Sequence, residues 1–229
     1  MPEKVVMDEK RWLTEYFERY RDAIFGIDVS AQLVELRELM EGAAASGKKV
    51  IIAGNGGSAA IAGHCAVDFT KNAGIRCVTF NAADLVTCLA NDYSYELWVE
   101  KALELYADEG DVAVLISSSG KSANMVRAAH CATHRGLKVV TFTGFSADNP
   151  LRAAGDLNFW VDSRAYNIVE TVHQIWLLAV CDLIVGKAEY PATPAKGEFP
   201  PDGRRSDSGL PIVREPEIAP VVSVESTGR

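Results

Sequence analysis

Two short polar turns carry residues suited to hold an anion. The first, GNGGS at 54–58, follows an apolar run and opens a stretch of small residues typical of a helix. Glycine lets the backbone approach a ligand closely, and a helix N-terminus offers free N–H groups and the positive end of the helix dipole. The spacing matches neither the GxGxxG nor the P-loop nucleotide fingerprint. By itself the turn therefore fits either an anion site without a nucleotide cofactor or a tight structural connection between a strand and a helix.

The second turn, SSSGKS at 117–122, also lies between an apolar run and a helical pattern. Its four hydroxyls, together with the helix N-terminus that follows, suit the oxygens of a phosphate group. Any one serine could instead cap the helix. The cluster as a whole favours a phosphate monoester, and its members are Ser117, Ser118, Ser119 and Ser122.

One pair of ionisable side chains follows the first turn. His64 and Asp68 are one helical turn apart in the helical stretch that this turn opens. Imidazole and carboxylate groups can transfer protons. The pair is therefore a candidate for chemistry on the bound anion.

Short β-branched apolar runs alternate with helical patterns from residue 49 onward. This alternation predicts a doubly wound three-layer α/β/α sandwich with a mostly parallel five-stranded sheet. The predicted strands are 49–53, 76–80, 111–116, 138–142 and 157–161, and the predicted helices are 58–71, 84–90, 94–107, 122–135 and 166–187. Ligands of such sheets bind at the carboxyl ends of the strands, where both polar turns fall. His130 and His134 are predicted to lie on a solvated helix face.

Two amphipathic helices are predicted before the sheet, at 8–25 and 30–45. Both are apolar enough to require packing on the main body or on another subunit, and they complete one predicted domain over residues 1–187. Beyond it, seven of the nine prolines lie between Pro191 and Pro220. Residues 188–229 are therefore predicted to form a proline-rich extended tail.

Composition excludes several classes of protein. The 229 residues are 48% hydrophobic and 24% charged, as in an ordinary globular protein, and the net charge of −8 argues against nucleic-acid binding. Five scattered cysteines without a C-x-x-C pair predict free thiols in a reducing compartment. Because no uninterrupted apolar stretch reaches about 18 residues, a cytoplasmic protein without a membrane segment is predicted.

Taken together, these motifs resemble the sugar isomerase (SIS) domain family. GNGGS and SSSGKSAN carry the resemblance at the level of the domain. The His64–Asp68 pair, LANDYS at 89–94 and the ETVH helix make the chain similar to the phosphoheptose isomerase branch. The resemblance covers about residues 8–187. It implies interconversion of sedoheptulose 7-phosphate and an aldoheptose 7-phosphate by a homotetramer.

The resemblance also implies roles for individual residues. It assigns the serine turn to the phosphate and the first turn to the sugar, through Asn55, Gly56, Gly57 and Ser58. Asp92 matches an aspartate that lines the substrate site. His64 matches a metal-ligand histidine, and Asp68 falls where the family places a glutamate that is both catalytic base and metal ligand.

The last helix departs from the family pattern. The family typically has a glutamine there and a histidine eight residues later, and these positions are Glu170 and Leu178 here. Leucine neither binds a metal nor transfers a proton, so His173 is the candidate substitute, with a packed core or interface histidine as the alternative. The catalytic set implied is His64, Asp68, Glu170 and His173, and the same four form the candidate site for Zn²⁺ or another divalent metal.

Three functions remain open from the sequence. A phosphosugar aldose–ketose isomerase is favoured, because a pure adaptor need not keep His64, Asp68 and Glu170 together. The alternatives are a non-catalytic adaptor or regulatory protein of the same family, and an isomerase of another phosphosugar such as an octose or hexose phosphate. In each enzymatic case the partner is a small phosphorylated sugar.

Overall fold

The computed structural model describes residues 7–189, and a five-stranded sheet forms the centre of this part. The strand order is β2-β1-β3-β4-β5, and every strand is parallel to its neighbours. The strands are β1 (Val50–Gly54), β2 (Cys77–Thr79), β3 (Val112–Ser117), β4 (Lys138–Thr143) and β5 (Leu157–Trp160). The predicted sheet is confirmed.

Eight helices occur in residues 7–189, and they cover both faces of the sheet. They are α1 (Glu9–Phe25), α2 (Ser30–Ala45), α3 (Gly57–Lys71), α4 (Ala83–Asp92), α5 (Trp98–Tyr106), α6 (Ala123–His134), α7 (Pro150–Ala153) and α8 (Tyr166–Val185). The four-residue α7 has no predicted counterpart, and the helix predicted from residue 94 begins at Trp98. The other predicted helices begin and end within about two residues of the observed bounds.

Side-chain alternation along the strands divides the core in two. Val50 and Ile52 of β1 pack with residues of α2, α3 and α8, whereas Ile51 and Ala53 pack with residues of α4, α5 and α6. Successive residues of a strand point to opposite faces, so a strand buried on both faces reads as a continuous apolar run. The three-layer α/β/α sandwich is therefore confirmed.

The amino end of the sheet is closed by a buried carboxylate. Asp111 is fully buried, and its two oxygens accept hydrogen bonds from the backbone N–H groups of Lys49 (2.9 Å) and Asp108 (2.8 Å). The Lys49 ammonium also forms an ion pair with Asp111. This arrangement joins the beginnings of β1 and β3.

The first helix lies on α8 with little burial. None of its residues is buried, although Asn167 of α8 donates a hydrogen bond to the Tyr20 hydroxyl (3.0 Å). Trp12, Leu13 and Phe17 remain 46–63% exposed. The body described here thus leaves most of the apolar surface of α1 uncovered.

One helix in residues 7–189, α8, is long and apolar enough to cross a membrane by length and composition alone. It packs here against α1, α2, α3 and β4, as the core helix of a folded domain does. All five cysteines are free, as predicted. The predicted tail lies outside the described residues, apart from residues 188 and 189.

Candidate functional site

The two polar turns meet at the carboxyl end of the sheet. β1 and β3 are adjacent and parallel, with Gly54 opposite Ile116, so the turns that follow them lie side by side. A cavity of about 290 Å³ opens there. It is lined by Asn55, Gly56, Gly57, Ser58, Ile116, Ser117, Ser118, Ser119, Ser122, Tyr166 and Glu170. The structure therefore brings together all eight predicted residues of the two turns.

The serines of the second turn do not cap α6 through their side chains. Ser122 is the N-cap residue, but its side chain makes no capping hydrogen bond and instead pairs with the Ser117 hydroxyl (3.1 Å). The Ser118 hydroxyl is buried and has no hydrogen-bond partner in residues 7–189. An unsatisfied buried hydroxyl costs free energy. A ligand oxygen in the cavity that accepts a hydrogen bond from Ser118 would remove this cost.

Gly57 leaves room for the Glu170 carboxylate, which approaches it from α8. A Cβ at this first residue of α3 would lie 2.3 Å from the Glu170 Oε2 atom and 2.6 Å from its carboxyl carbon. No side chain larger than hydrogen fits without moving Glu170. The glycine of the turn thus admits the carboxylate of α8 to the N-terminus of α3.

Among the residues that the structure describes, Glu170 is the one carboxylate that lines the cavity. Partial burial raises the pKa of Glu170 above the usual value. The nearby Ser118 hydroxyl acts in the opposite direction and lowers this pKa, although the two groups do not form a hydrogen bond of normal geometry. A carboxylate with a raised pKa is a stronger base and can also act as an acid nearer neutral pH. Glu170 therefore has the position and the environment of a proton-transfer group.

His64 and Asp68 form a separate pair on α3. The His64 Nε2 atom lies 3.0 Å from Asp68 Oδ2, and Gln174 of α8 donates its amide N–H to His64 Nδ1 (2.9 Å). Asn72 donates to the other oxygen of Asp68 (3.2 Å). Neither His64 nor Asp68 lines the cavity. Gln174 was missed by sequence reasoning, although it lies four residues after Glu170 and hence on nearly the same helix face.

Two further predicted site residues lie away from both the cavity and the His64–Asp68 pair. His173 is fully buried between Phe142 and Trp176, and its Nε2 atom is hydrogen-bonded to the Thr143 carbonyl (3.0 Å). Burial lowers its pKa to about 4, so it stays neutral. The three-residue step along α8 directs His173 toward the sheet and Glu170 toward the cavity. The structure thus corrects the predicted catalytic role of His173 and supports the alternative, a histidine packed in the core.

Asp92 is the second such residue. It ends α4 in an exposed position and accepts a hydrogen bond from its neighbour Asn91 (3.0 Å). It does not line the cavity in this chain. The nearby side chain that does reach the first turn is Tyr95, whose hydroxyl donates to Asn55 Oδ1 (3.0 Å).

The predicted four-residue metal set is not assembled. No group of three or more histidine, cysteine, aspartate or glutamate side chains in residues 7–189 has the geometry to hold an ion. His173 is turned into the core, Glu170 lines the cavity, and Leu178 packs against the apolar core at the position of the family's histidine. The residues described therefore do not fit a metal site, and no reaction step below depends on one.

Comparison with known proteins agrees with the fold. The SIS domain model matches residues 15–144. A probable phosphoheptose isomerase of Thermoplasma acidophilum is 31% identical over 185 residues, covering 78% of this chain and 98% of that relative. The phosphoheptose isomerase of Geobacter sulfurreducens is also 31% identical, over 69% of this chain and 86% of the relative.

Solved structures agree with these matches. The phosphoheptose isomerase GmhA of Neisseria gonorrhoeae superposes with a TM-score of 0.69 at 28% identity, covering 76% of this chain and 97% of that one. A phosphoheptose isomerase of Francisella tularensis, 22% identical with a TM-score of 0.73 over 79% of this chain and all of its own, has the same fold. This chain belongs to the SIS domain family.

Proposed function

We propose that the protein is a phosphosugar aldose–ketose isomerase that interconverts sedoheptulose 7-phosphate and an aldoheptose 7-phosphate. The observation that carries this proposal is the cavity between the two turns. There the buried Ser118 hydroxyl, which has no hydrogen-bond partner in residues 7–189, lies in the turn before α6 and beside the Glu170 carboxylate. The relatives named phosphoheptose isomerase support the substrate.

The serine turn would hold the phosphate. Hydroxyl groups and the N-terminus of α6 supply hydrogen-bond donors and a positive dipole end, which together suit a phosphate dianion. Binding energy from this remote group can position the reacting carbons and so raise the rate of the chemical step.

Glu170 is the carboxylate that we assign to proton transfer. Isomerisation removes a proton from one carbon and returns it to the neighbouring carbon through an enediol, and a carboxylate that lines the substrate cavity can do both. The sequence instead singled out Asp68 as the base. Asp68 ranks second as the candidate base, because neither it nor His64 lines the cavity. The pair would have to reach the substrate from outside the cavity.

The His64–Asp68 pair also limits any metal role. These two side chains could supply two ligands to a divalent ion, fewer than the four that structural zinc sites use. No third histidine, cysteine, aspartate or glutamate side chain in residues 7–189 joins them in a metal-binding geometry.

A homo-oligomer, in particular a tetramer, is proposed for the assembly. Its support is the exposed apolar surface of α1, since Trp12, Leu13 and Phe17 would be covered by another subunit. A monomer in light scattering at micromolar concentration would contradict this assembly. The free thiols and the net charge of −8 support action in the cytoplasm on a small molecule, without nucleic acid or membrane partners.

The test is turnover of sedoheptulose 7-phosphate by the purified full chain. The aldose product is measured by NMR, with an octulose phosphate and a hexulose phosphate as competing substrates. Turnover of the heptulose phosphate supports the proposal, and faster turnover of another sugar phosphate would reassign the substrate. No turnover of any of them, with or without added Zn²⁺, would support the adaptor alternative.

A further inference from the structure

The side chain of Asn55 is held in a fixed hydrogen-bonding pattern at the edge of the cavity. Its amide faces that of Asn124, the second residue of α6, and the two side chains exchange hydrogen bonds in both directions, each 3.0 Å long. Asn124 is 3% exposed. The pair joins the turn after β1 to the helix that begins after the serine turn, 69 positions away in sequence.

Neighbouring donors determine which atom of each amide is oxygen. The backbone N–H of Met125 donates to Asn124 Oδ1 (3.0 Å), and a backbone N–H cannot accept. The nitrogen of Asn55 must therefore face that oxygen, and the oxygen of Asn55 must face Asn124 Nδ2. The Tyr95 hydroxyl then donates to Asn55 Oδ1 (3.0 Å).

Counting hydrogen-bonding capacity leaves one group of Asn55 for a ligand. Its Oδ1 atom accepts from Asn124 and from Tyr95, which occupies both lone pairs. Its Nδ2 atom uses one of two hydrogens on Asn124. The second N–H is the remaining polar capacity of a side chain that lines the cavity.

We infer that Asn55 donates this N–H to the oxygen that gains negative charge in the isomerisation, and that Asn124 and Tyr95 are positioning residues that hold it as a donor. The inference rests on the proposed function. The base removes a proton from the carbon next to the carbonyl, the C–H electron pair forms the carbon–carbon double bond, and the carbonyl electrons move onto its oxygen.

Asn55 keeps its proton throughout this step. The enediol collapses when the carbon-bound proton returns to the neighbouring carbon and the hydroxyl proton passes from one oxygen to the other, so no oxidant or reductant is needed. A preoriented donor at the charged oxygen stabilises the transition state more than the ground state.

The experiment compares four variants with wild type for kcat, KM and the binding of inorganic phosphate by calorimetry. Asn55→Ala removes the donor and is expected to lower kcat about 10²–10³-fold, the range for loss of one such donor. Tyr95→Phe leaves the donor but frees one lone pair of Asn55, and should lower kcat about three- to tenfold, the value of one hydrogen bond. KM and phosphate affinity should each change less than about twofold in both variants, on the argument that only transition-state contacts are lost.

Tyr93→Phe is the matched control. Tyr93 lies two residues before Tyr95 with similar exposure, and its ring contacts Lys101 instead of the turn. Its kcat should equal that of wild type.

Asn124→Asp, which places an oxygen against Asn55 Oδ1, tests orientation directly, provided that circular dichroism shows a folded protein. A kcat loss near that of Asn55→Ala is expected. If the wild type is active and kcat is unchanged in both Tyr95→Phe and Asn55→Ala, this inference is overturned while the proposed function stands. An inactive wild type would overturn it together with the proposed function.

Discussion

The two ends of the central sheet each contain a carboxylate that is wholly or partly buried, and they treat it in opposite ways. At the amino end, Asp111 accepts two backbone hydrogen bonds and pairs with Lys49. At the carboxyl end, Glu170 lies beside the unpartnered Ser118 hydroxyl, and its pKa is raised. A satisfied carboxylate stabilises a fold, whereas one left with unused capacity is available to a ligand.

The largest effect is expected from Glu170→Gln. The substitution keeps the shape of the side chain and removes its basicity, so turnover should fall about 10²–10⁴-fold, the usual range for loss of a general base. Steady-state kinetics on sedoheptulose 7-phosphate measures the change. Asp68→Asn is the comparison variant, and a larger loss there than in Glu170→Gln would return the role of base to Asp68.

Asp111→Ala should act on stability and not on chemistry. It removes the buried partner of the Lys49 ammonium, whose side chain is 13% exposed, and leaves two buried backbone N–H groups without their acceptor, so the free energy of unfolding should fall by about 3–5 kcal/mol. Urea denaturation gives the value. Asp108→Ala is the control, because Asp108 pairs with the same lysine but is 69% exposed, and it should cost much less stability than Asp111→Ala because water screens an exposed pair. An equal loss of stability in the two variants would show that the buried Asp111 does not stabilise the amino end of the sheet as described.

Ser118→Ala should weaken ligand binding without weakening the fold. No protein hydrogen bond is lost, so the free energy of unfolding should stay within about 0.5 kcal/mol of wild type. Phosphate or sugar phosphate affinity should fall by about 1–3 kcal/mol, the range for a hydrogen bond to a charged group. Calorimetry measures both proteins. An unchanged affinity would remove Ser118 from the anion site.

The smallest effect concerns pH. The pKa of Glu170 is raised in the folded state above the ordinary value of 4.5, so the folded protein binds more protons than the unfolded chain between the two values. Wild-type stability should therefore fall relative to Glu170→Gln as pH rises from about 4 through the raised pKa, and the difference should then stay constant. Denaturation at several pH values checks the sign. If the wild type instead loses stability relative to Glu170→Gln as pH falls, the raised pKa of Glu170 is contradicted.

The sheet and most helix bounds could be predicted because buried parallel strands read as apolar runs and the polar turns mark their ends. The cavity followed from the same rule, since the carboxyl ends of adjacent parallel strands meet. His173 could not be placed, because a three-residue step on α8 decides between core and cavity. The exchange between Asn55 and Asn124 joins residues far apart in sequence and needs the tertiary structure.

The most direct test of the account is isomerisation in D₂O. Wild-type protein is incubated with sedoheptulose 7-phosphate, and both sugars are examined by ¹H NMR. An enediol formed by a carboxylate base in the cavity predicts an aldose product with deuterium at its second carbon, and Glu170→Gln should lose product formation and exchange together. Product and deuterium exchange that both persist in Glu170→Gln, or neither product nor exchange in the wild type, would contradict the assignment of this cavity as the site of an enediol isomerisation by Glu170.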